Sequence, residues 1–301
     1  NLCGEQPLLP YESCNLGSIV LPNVADENGN IDWDELSGVV ETAVHFLDNT
    51  IDVNHYVIPE IEEATKNNRK IGLGLMGFAD VLVRREIAYN SEEAQEFARK
   101  IMKFVTEGAR AASKKLAEKR GPFPNYTESV WAEEEEPLRN AAVTTLAPNG
   151  TTSLLAECTG GVEPIFALVY KRKHMKTLGD EELFYVHPEF EKIAREKGFY
   201  SQELLQKVAE SGSCQDIEEV PQEVKNIFVT AHDIAPEDHV RMQAAFQKYT
   251  DNAVSKTVNL PEDATVEDVK NIFELAYELK CKGITVYRDK SREKQVLNAG
   301  E

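Results

Sequence analysis

An α/β fold built on parallel strands is what the sequence predicts. Three observations carry that prediction. Amphipathic stretches with helical spacing alternate with short apolar runs, the pattern of helices crossing over between parallel strands. Glycine and proline punctuate the joins, as at Gly121-Pro122 and Gly283. The 301 residues, 42% hydrophobic and 28% charged, are those of an ordinary globular chain that can bury a large core.

Taken in order, the chain opens with "NLCGEQPLLPYESCNLGS", which reads as a loop. The stretch "IDWDELSGVVETAVHFLDNTI" follows, with Asp32 as N-cap and Glu35 three residues on, a capping-box layout, and Val40, Ala43 and Leu47 at helical spacing. Next comes "IGLGLMG", in which Gly72, Gly74 and Gly77 form a GxGxxG match. "EEATKNNRK", ahead of it, does not read as the strand a dinucleotide fold needs, and no ribose-binding acid closes a second strand. The glycines therefore read as sites of close backbone packing. A longer helix starts after Ser91, its stripe formed by Ala94, Phe97, Ile101, Val105, Ala109, Ala112 and Leu116, and stops at Gly121-Pro122. The acidic "AEEEEPLR" at 132–139 reads as a solvated helix start or loop. "NAAVTTLAPNGTTSLLAE" reads as a buried strand, a Gly-containing turn and a helix. "ATVEDVKNIFELAYELKCKGITVYRD" reads as a capped helix returning through Gly283 into a strand.

Composition narrows the function classes. The net charge of -19, from 33 basic and 52 acidic residues, repels polyanions and argues against a nucleic-acid binder. The one basic cluster, "YKRKHMK" at 170–176, lacks interleaved aromatics and reads as solvated or locally paired. No apolar run is long enough to span a bilayer and no signal-peptide layout opens the chain, so a cytoplasmic protein without membrane contact is expected. Five widely spaced cysteines (Cys3, Cys14, Cys158, Cys214, Cys281) fit reduced thiols better than a disulfide framework. They form no CxxC pair and the histidines no HExxH, so no metal site is expected.

Two stretches carry chemistry. In "LAPNGTTSLL", a turn through Asn149-Gly150 leads into Thr151, Thr152 and Ser153 at a helix start. Backbone N–H groups and hydroxyls then converge as an anion cradle, with a plain N-cap after a tight turn as the equally weighted alternative. In the opening stretch, an extended backbone would point Asn1, Cys3 and Glu5 to one face. A carboxylate beside a thiol raises the thiol pKa and so disfavours thiolate chemistry. The same neighbourhood suits a neutral S–H that loses a hydrogen atom beside a base. The bland reading is a buried cysteine in a polar loop.

These residues resemble the ribonucleotide reductase large-chain family. "NLCGE" resembles its finger-loop motif, with Leu2 where proline is usual. "LAPNGTTS" with "GGVEPIFA" resembles its substrate-phosphate loop, and "AAFQKYTDNAVSKTVNLPEDATVEDV" and "CKGITVYRDKSREKQVL" extend the match nearly end to end. The resemblance implies the second half of a ten-stranded α/β barrel, with the catalytic finger loop at the N-terminus. It implies one unit over 1–301, comprising the finger loop at 1–20, a substrate-phosphate strand-loop-helix at 141–170 and a C-terminal barrel segment at 250–297. It implies that Cys3 is the thiyl radical, that Glu5 takes the 3′-hydroxyl proton, that Asn1 bonds the sugar and that Cys14 is one of two reducing thiols. Leu2, Gly4, Pro148, Asn149, Gly150, Thr151, Thr152 and Ser153 would bind substrate. Cys158, Cys214 and Cys281 match no redox role and are expected to be packing residues.

Val286 before Tyr287 leaves no tyrosine pair for a radical relay. With the short Cys3-to-Cys14 spacing, this is similar to the class II enzymes, which use adenosylcobalamin. The implied substrate is a ribonucleoside diphosphate and the implied reductant a thioredoxin-like protein or dithiol, in a homodimer of the complete enzyme. The second reducing cysteine and the effector site would lie in an N-terminal half outside this sequence. The expectation is accordingly a piece of a longer reductase, from a split or intein-interrupted gene or a trimmed sequence. The alternatives are a non-catalytic nucleotide-binding or assembly subunit of the same fold, a class I large-chain fragment, or a thiol hydrolase using Cys3.

Overall fold

The computed structural model describes residues 3–172 and 183–291. Its frame is a run of five parallel segments. β1 (Asn15–Val20) lies beside β2 (Ile71–Met76), with Asn15 opposite Ile71 and Val20 opposite Met76. On the far side of β2, Ile71 N and Leu73 N donate to Ala142 O and Val143 O, and Thr145 N donates back to Leu73 O. Residues 142–147 thus form the third segment. Leu146 bridges in parallel to Val254, with Ser255 N donating to Leu146 O, which adds the fourth segment. Five such segments are what half of a ten-stranded barrel requires.

Helices connect the segments. α1 (Trp33–Val53) starts where Asp32 accepts hydrogen bonds from Asp34 N and Glu35 N, and it buries Leu36, Val40, Val44, Leu47 and Ile51 along one stripe. α2 (Pro59–Asn68) precedes β2, and α3 (Phe78–Arg84) follows it. α4 (Glu92–Arg120) is capped by Ser91 and closed by Gly121 at φ +81°, and the whole stripe from Ala94 to Leu116 expected from its spacing is buried. α1 and α4 pack on each other beside the sheet. α5 (Val130–Glu133) is a single turn leading into exposed glutamates, as the acidic stretch suggested.

α6 (Gly150–Leu155) follows the third segment. β3 (Val169–Arg172) and β4 (Leu183–Val186) form an antiparallel pair; the last four residues of the basic cluster, 173–176, lie outside the described residues. α7 (Pro188–Glu196), α8 (Gln202–Ser211) and α9 (Gln222–Ile227) add Phe190, Leu204, Leu205, Val208 and Val224 to the main core, and α10 (Pro236–Gln247) packs against α4 and β5 (Thr257–Leu260). The fourth segment continues as β5. α11 (Val266–Glu278) has the full capping box of Thr265 with Asp268 and delivers the chain to β6 (Thr285–Arg288), parallel to β5.

The main core gathers around Leu73, Leu75, Phe78 and Phe246. A smaller one under α11 holds Val240, Val258, Leu260 and Ile272. Among the described residues, β1 is paired on one side only. Beside it lies a groove of about 400 Å³ lined by Leu16, Val20, Val39, Ala43 and Phe46. No described helix is long and apolar enough to cross a membrane.

Candidate functional site

The opening loop crosses the sheet rather than lying along it. Asn1 and Leu2 fall outside the described residues. Cys3 and Gly4 form a bend, with Gly4 at φ +76°, a conformation that favours glycine. The bend breaks the alternation expected of an extended strand. Cys3 is exposed while Glu5, two residues on, is buried, so the two do not share a face by strand geometry. Glu5 O accepts hydrogen bonds from Ala253 N at 3.0 Å and Thr145 Oγ1 at 2.6 Å, which pins the loop to the third and fourth segments. Its carboxylate has one oxygen, Oε2, buried without a hydrogen-bond partner among the described residues.

Cys14 sits where the loop enters β1, half-buried, its Sγ donating to Asn15 O at 3.3 Å. Burial pushes its thiol up to about 12; Lys70 and a hydrogen bond with Gln6 pull it down, and Glu12 and Glu5 push it up. The thiol is therefore protonated at neutral pH. Those causes also put the Glu5 and Cys14 side chains in one electrostatic neighbourhood. The loop's base is clamped by Glu12, whose carboxylate is fully buried. It accepts from Lys70 Nζ at 2.6 Å, Asn68 Nδ2 at 2.7 Å and Leu9 N at 2.8 Å.

The second candidate, Pro148 to Ser153, ends the third segment. Asn149 takes the left-handed conformation at φ 56° and braces the turn. Its Oδ1 accepts from Ser18 Oγ at 3.1 Å, and its Nδ2 donates to Ala147 O at 3.1 Å. Its side chain is thus used in the turn and caps no N–H of α6. Thr151 and Thr152 are exposed, Ser153 is buried with its hydroxyl on Gly150 O, and a Cβ added at Gly150 would meet nothing within 4 Å. The first turn of α6 therefore offers uncapped N–H groups with hydroxyls beside them, the arrangement that receives an anion. Gly161 backs the loop: a Cβ there would stand 2.7 Å from Ala147 O.

Thr145 joins the two stretches. It holds Glu5 and lies three residues before Pro148, about 10 Å of strand. The structure thus brings Glu5, Cys14 and the phosphate-type loop to one sheet. Gln6, Glu12, Lys70, Thr145 and Ser18 escaped sequence reasoning because each acts across a long sequence separation. Gly72 and Gly74 lie in the middle of β2, where added Cβ atoms would meet the Leu16 and Thr145 side chains at 2.6 Å and Thr145 O at 2.3 Å. The reading of the glycines as close packing stands. Cys214 is buried with its Sγ toward Phe228 O at 3.8 Å. Burial raises the thiols of Cys158 and Cys281 to about 11.

The family model described as "Ribonucleotide reductase, barrel domain" matches residues 1–137 and 132–287. The chain is 51% identical over 300 residues to a vitamin B12-dependent ribonucleoside-diphosphate reductase of Thermoplasma acidophilum, covering 100% of this chain and 38% of the relative. It is 49% identical over 299 residues to a protein of the same name from Mycobacterium tuberculosis, covering 99% and 42%. The chain therefore spans about two-fifths of the length of these relatives. The class Id ribonucleotide reductase alpha subunit of Actinobacillus ureae superposes with a TM-score of 0.80 at 24% identity, over 96% of this chain and 53% of that one, a likeness of fold.

Proposed function

The chain belongs to the ribonucleotide reductase family through its barrel domain, and from that premise we propose that it supplies the finger loop and phosphate loop of an adenosylcobalamin-dependent reductase. The reaction is the conversion of ribonucleoside diphosphates to 2′-deoxyribonucleoside diphosphates. The observation that carries this reading is Glu5: a carboxylate oxygen buried without a partner costs free energy unless a substrate group comes to it.

In this reading Cys3, exposed and open to a bulky cofactor, gives up its hydrogen atom, and its sulfur removes the ribose 3′-hydrogen. Glu5 takes the 3′-hydroxyl proton. Cys14 and a second thiol outside this sequence supply two reducing equivalents. The 2′-hydroxyl leaves as water, and the two thiols end as a disulfide after supplying one hydrogen to that water and one to the 2′-carbon. Glu5 returns its proton to the 3′-oxygen, and Cys3 returns a hydrogen atom to the 3′-carbon. The protonated state of Cys14 suits that role. Pro148 to Ser153 hold the diphosphate through N–H groups and hydroxyls, while Asn1 hydrogen-bonds the sugar and Leu2 and Gly4 take part in binding the substrate. Adenosylcobalamin, when bound, provides the initial radical. One observation fits that cofactor: Val286 stands before Tyr287, so no tyrosine pair stands there to relay a radical.

The edge of β1 that pairs with no described strand, and its apolar groove, support a complementary half-barrel as partner, since such an edge is a template for another strand. The same reading takes a thioredoxin-like or dithiol reductant, a homodimer of the complete enzyme and a cytoplasmic setting that keeps thiols reduced. The test is anaerobic reduction of a ribonucleoside diphosphate with adenosylcobalamin and a dithiol, by this chain alone and with the N-terminal half of a relative added. Turnover in the mixture that Cys3→Ser abolishes, with the fold intact, supports the assignment. Turnover that survives Cys3→Ser sinks it.

A further inference from the structure

A second cavity lies at the opposite end of the parallel segments from the phosphate loop. It measures about 550 Å³, and its lining includes residues at the starts of the segments: Lys70 before β2, Ala141 and Ala142 at the third, Asp251 and Asn252 before the fourth, and Lys282 before β6. In a chain of net charge -19 it gathers five cationic side chains, Lys70, Lys103, Arg110, Lys248 and Lys282, against two carboxylates, Glu107 and Asp251. We propose that this cavity is a binding site for a small polyphosphate-bearing molecule, separate from the substrate-phosphate loop.

The charges within it are unevenly satisfied. Lys70 is neutralised by Glu12 behind it, and Lys103 reaches Glu107 at 3.8 Å. Asp251 is shared: Oδ1 takes Arg110 Nη2 at 2.5 Å, Oδ2 takes Val143 N at 2.9 Å, and its main-chain oxygen takes Lys282 Nζ at 2.5 Å. Among the described residues no carboxylate pairs with Lys248 or Lys282, and Arg110 Nε is buried without a hydrogen-bond partner. Burial depresses the Lys282 ammonium, Asp251 opposes that, and the nearby Arg110 charge adds to it. An anion between these groups relieves the repulsion and gives Arg110 and Lys282 charge-assisted partners.

A compact multivalent anion suits this set better than one carboxylate, because Lys248 and Lys282 both lack a carboxylate partner among the described residues and the Arg110 charge stands beside them. The volume is within the usual range for small-ligand sites. Pro7, Val130, Trp131 and Ala142 give it an apolar wall for the organic part of the molecule.

Trp131 provides a local readout, since the Arg110 guanidinium lies 4.9 Å from its ring centre. The chain has two tryptophans, and Trp33→Phe isolates the Trp131 signal. Tripolyphosphate is titrated into that variant, with orthophosphate as the weaker probe, at low salt and at 150 mM. A saturable change in Trp131 emission is expected. Affinity should fall at least tenfold in Lys248→Gln/Lys282→Gln, persist in Lys248→Arg/Lys282→Arg and persist in Thr151→Ala/Thr152→Ala, whose lesion is in the other loop. Thermal melts confirm that each variant is folded. A change lost in the Thr151/Thr152 variant, or equally tight in the double glutamine variant, overturns the proposal. Absence of any saturable change overturns it too, as would follow if an acidic protein segment were the natural occupant.

Discussion

Gly74→Ala tests whether β2 and the third segment are as closely apposed as the geometry requires. The added Cβ would stand 2.3 Å from Thr145 O, with Leu146 Cδ2 at 3.4 Å. An ordinary carbon–oxygen contact is about 3.3 Å, so one segment must retreat by about 1 Å. The obstructing atom is main-chain and cannot rotate away. Thr145 is further tied by its N–H to Leu73 O at 3.1 Å and by its hydroxyl to Glu5 O at 2.6 Å. Overpacking of this kind costs about 1–3 kcal/mol, and the upper part of that range is expected where no side chain can yield. Equilibrium urea denaturation measures it. The displacement also reaches Pro148, three residues on, so turnover in the complemented enzyme should drop about 100-fold, the scale of a 1 Å misplacement. Gly38→Ala is the control: exposed in the middle of α1 with nothing within 4 Å, it should stabilise by up to about 1 kcal/mol. A Gly74→Ala loss below about 0.5 kcal/mol with full turnover would refute the close-packing argument.

Lys70→Met leaves the buried Glu12 carboxylate without its cation. Stability should fall by about 3 kcal/mol, the low end for a broken buried pair because Asn68 and Leu9 N still donate; an unchanged urea midpoint counts against the clamp. Burial raises the Cys214 thiol from about 9 to about 12, so above pH 9 the unfolded chain loses a proton that the folded chain keeps. Stability then declines as pH rises from 9 toward 12, by about 1 kcal/mol from this group at pH 10, and the decline should be shallower in Cys214→Ala. His239 is held near 2, first by burial and then by Lys256, so below pH 6.5 the unfolded chain binds a proton that the folded chain refuses. Stability should fall by about 1.2 kcal/mol between pH 6 and pH 5 from this group, and His239→Gln should remove that slope.

Much of the framework was legible because its causes are local. Asp32, Ser91 and Thr265 cap the helices they precede, and the α4 stripe from Ala94 to Leu116 is buried residue for residue. The turn at Asn149-Gly150 formed where its residues suggested, although α6 is only six residues long. A shared face for Cys3 and Glu5 requires an extended backbone, and Gly4 at φ +76° puts a bend between them that no strand period describes.

By itself the sequence determined the α/β class with parallel strands, the positions of α1, α4, α6 and α11, the stretches that resemble a finger loop and a phosphate loop, and the family they resemble. These rest on capping, periodicity and short ordered motifs, all encoded within a few residues. Only the tertiary structure decided that Glu12 and Lys70 clamp the loop, that Thr145 anchors Glu5, that Gly74 lies against Thr145 O and that five cations line one cavity. Those contacts join residues tens to more than a hundred positions apart. Nothing local distinguishes a lysine at position 70 or 282 from a solvated one; the closing of the sheet gives each its partner or leaves it without one.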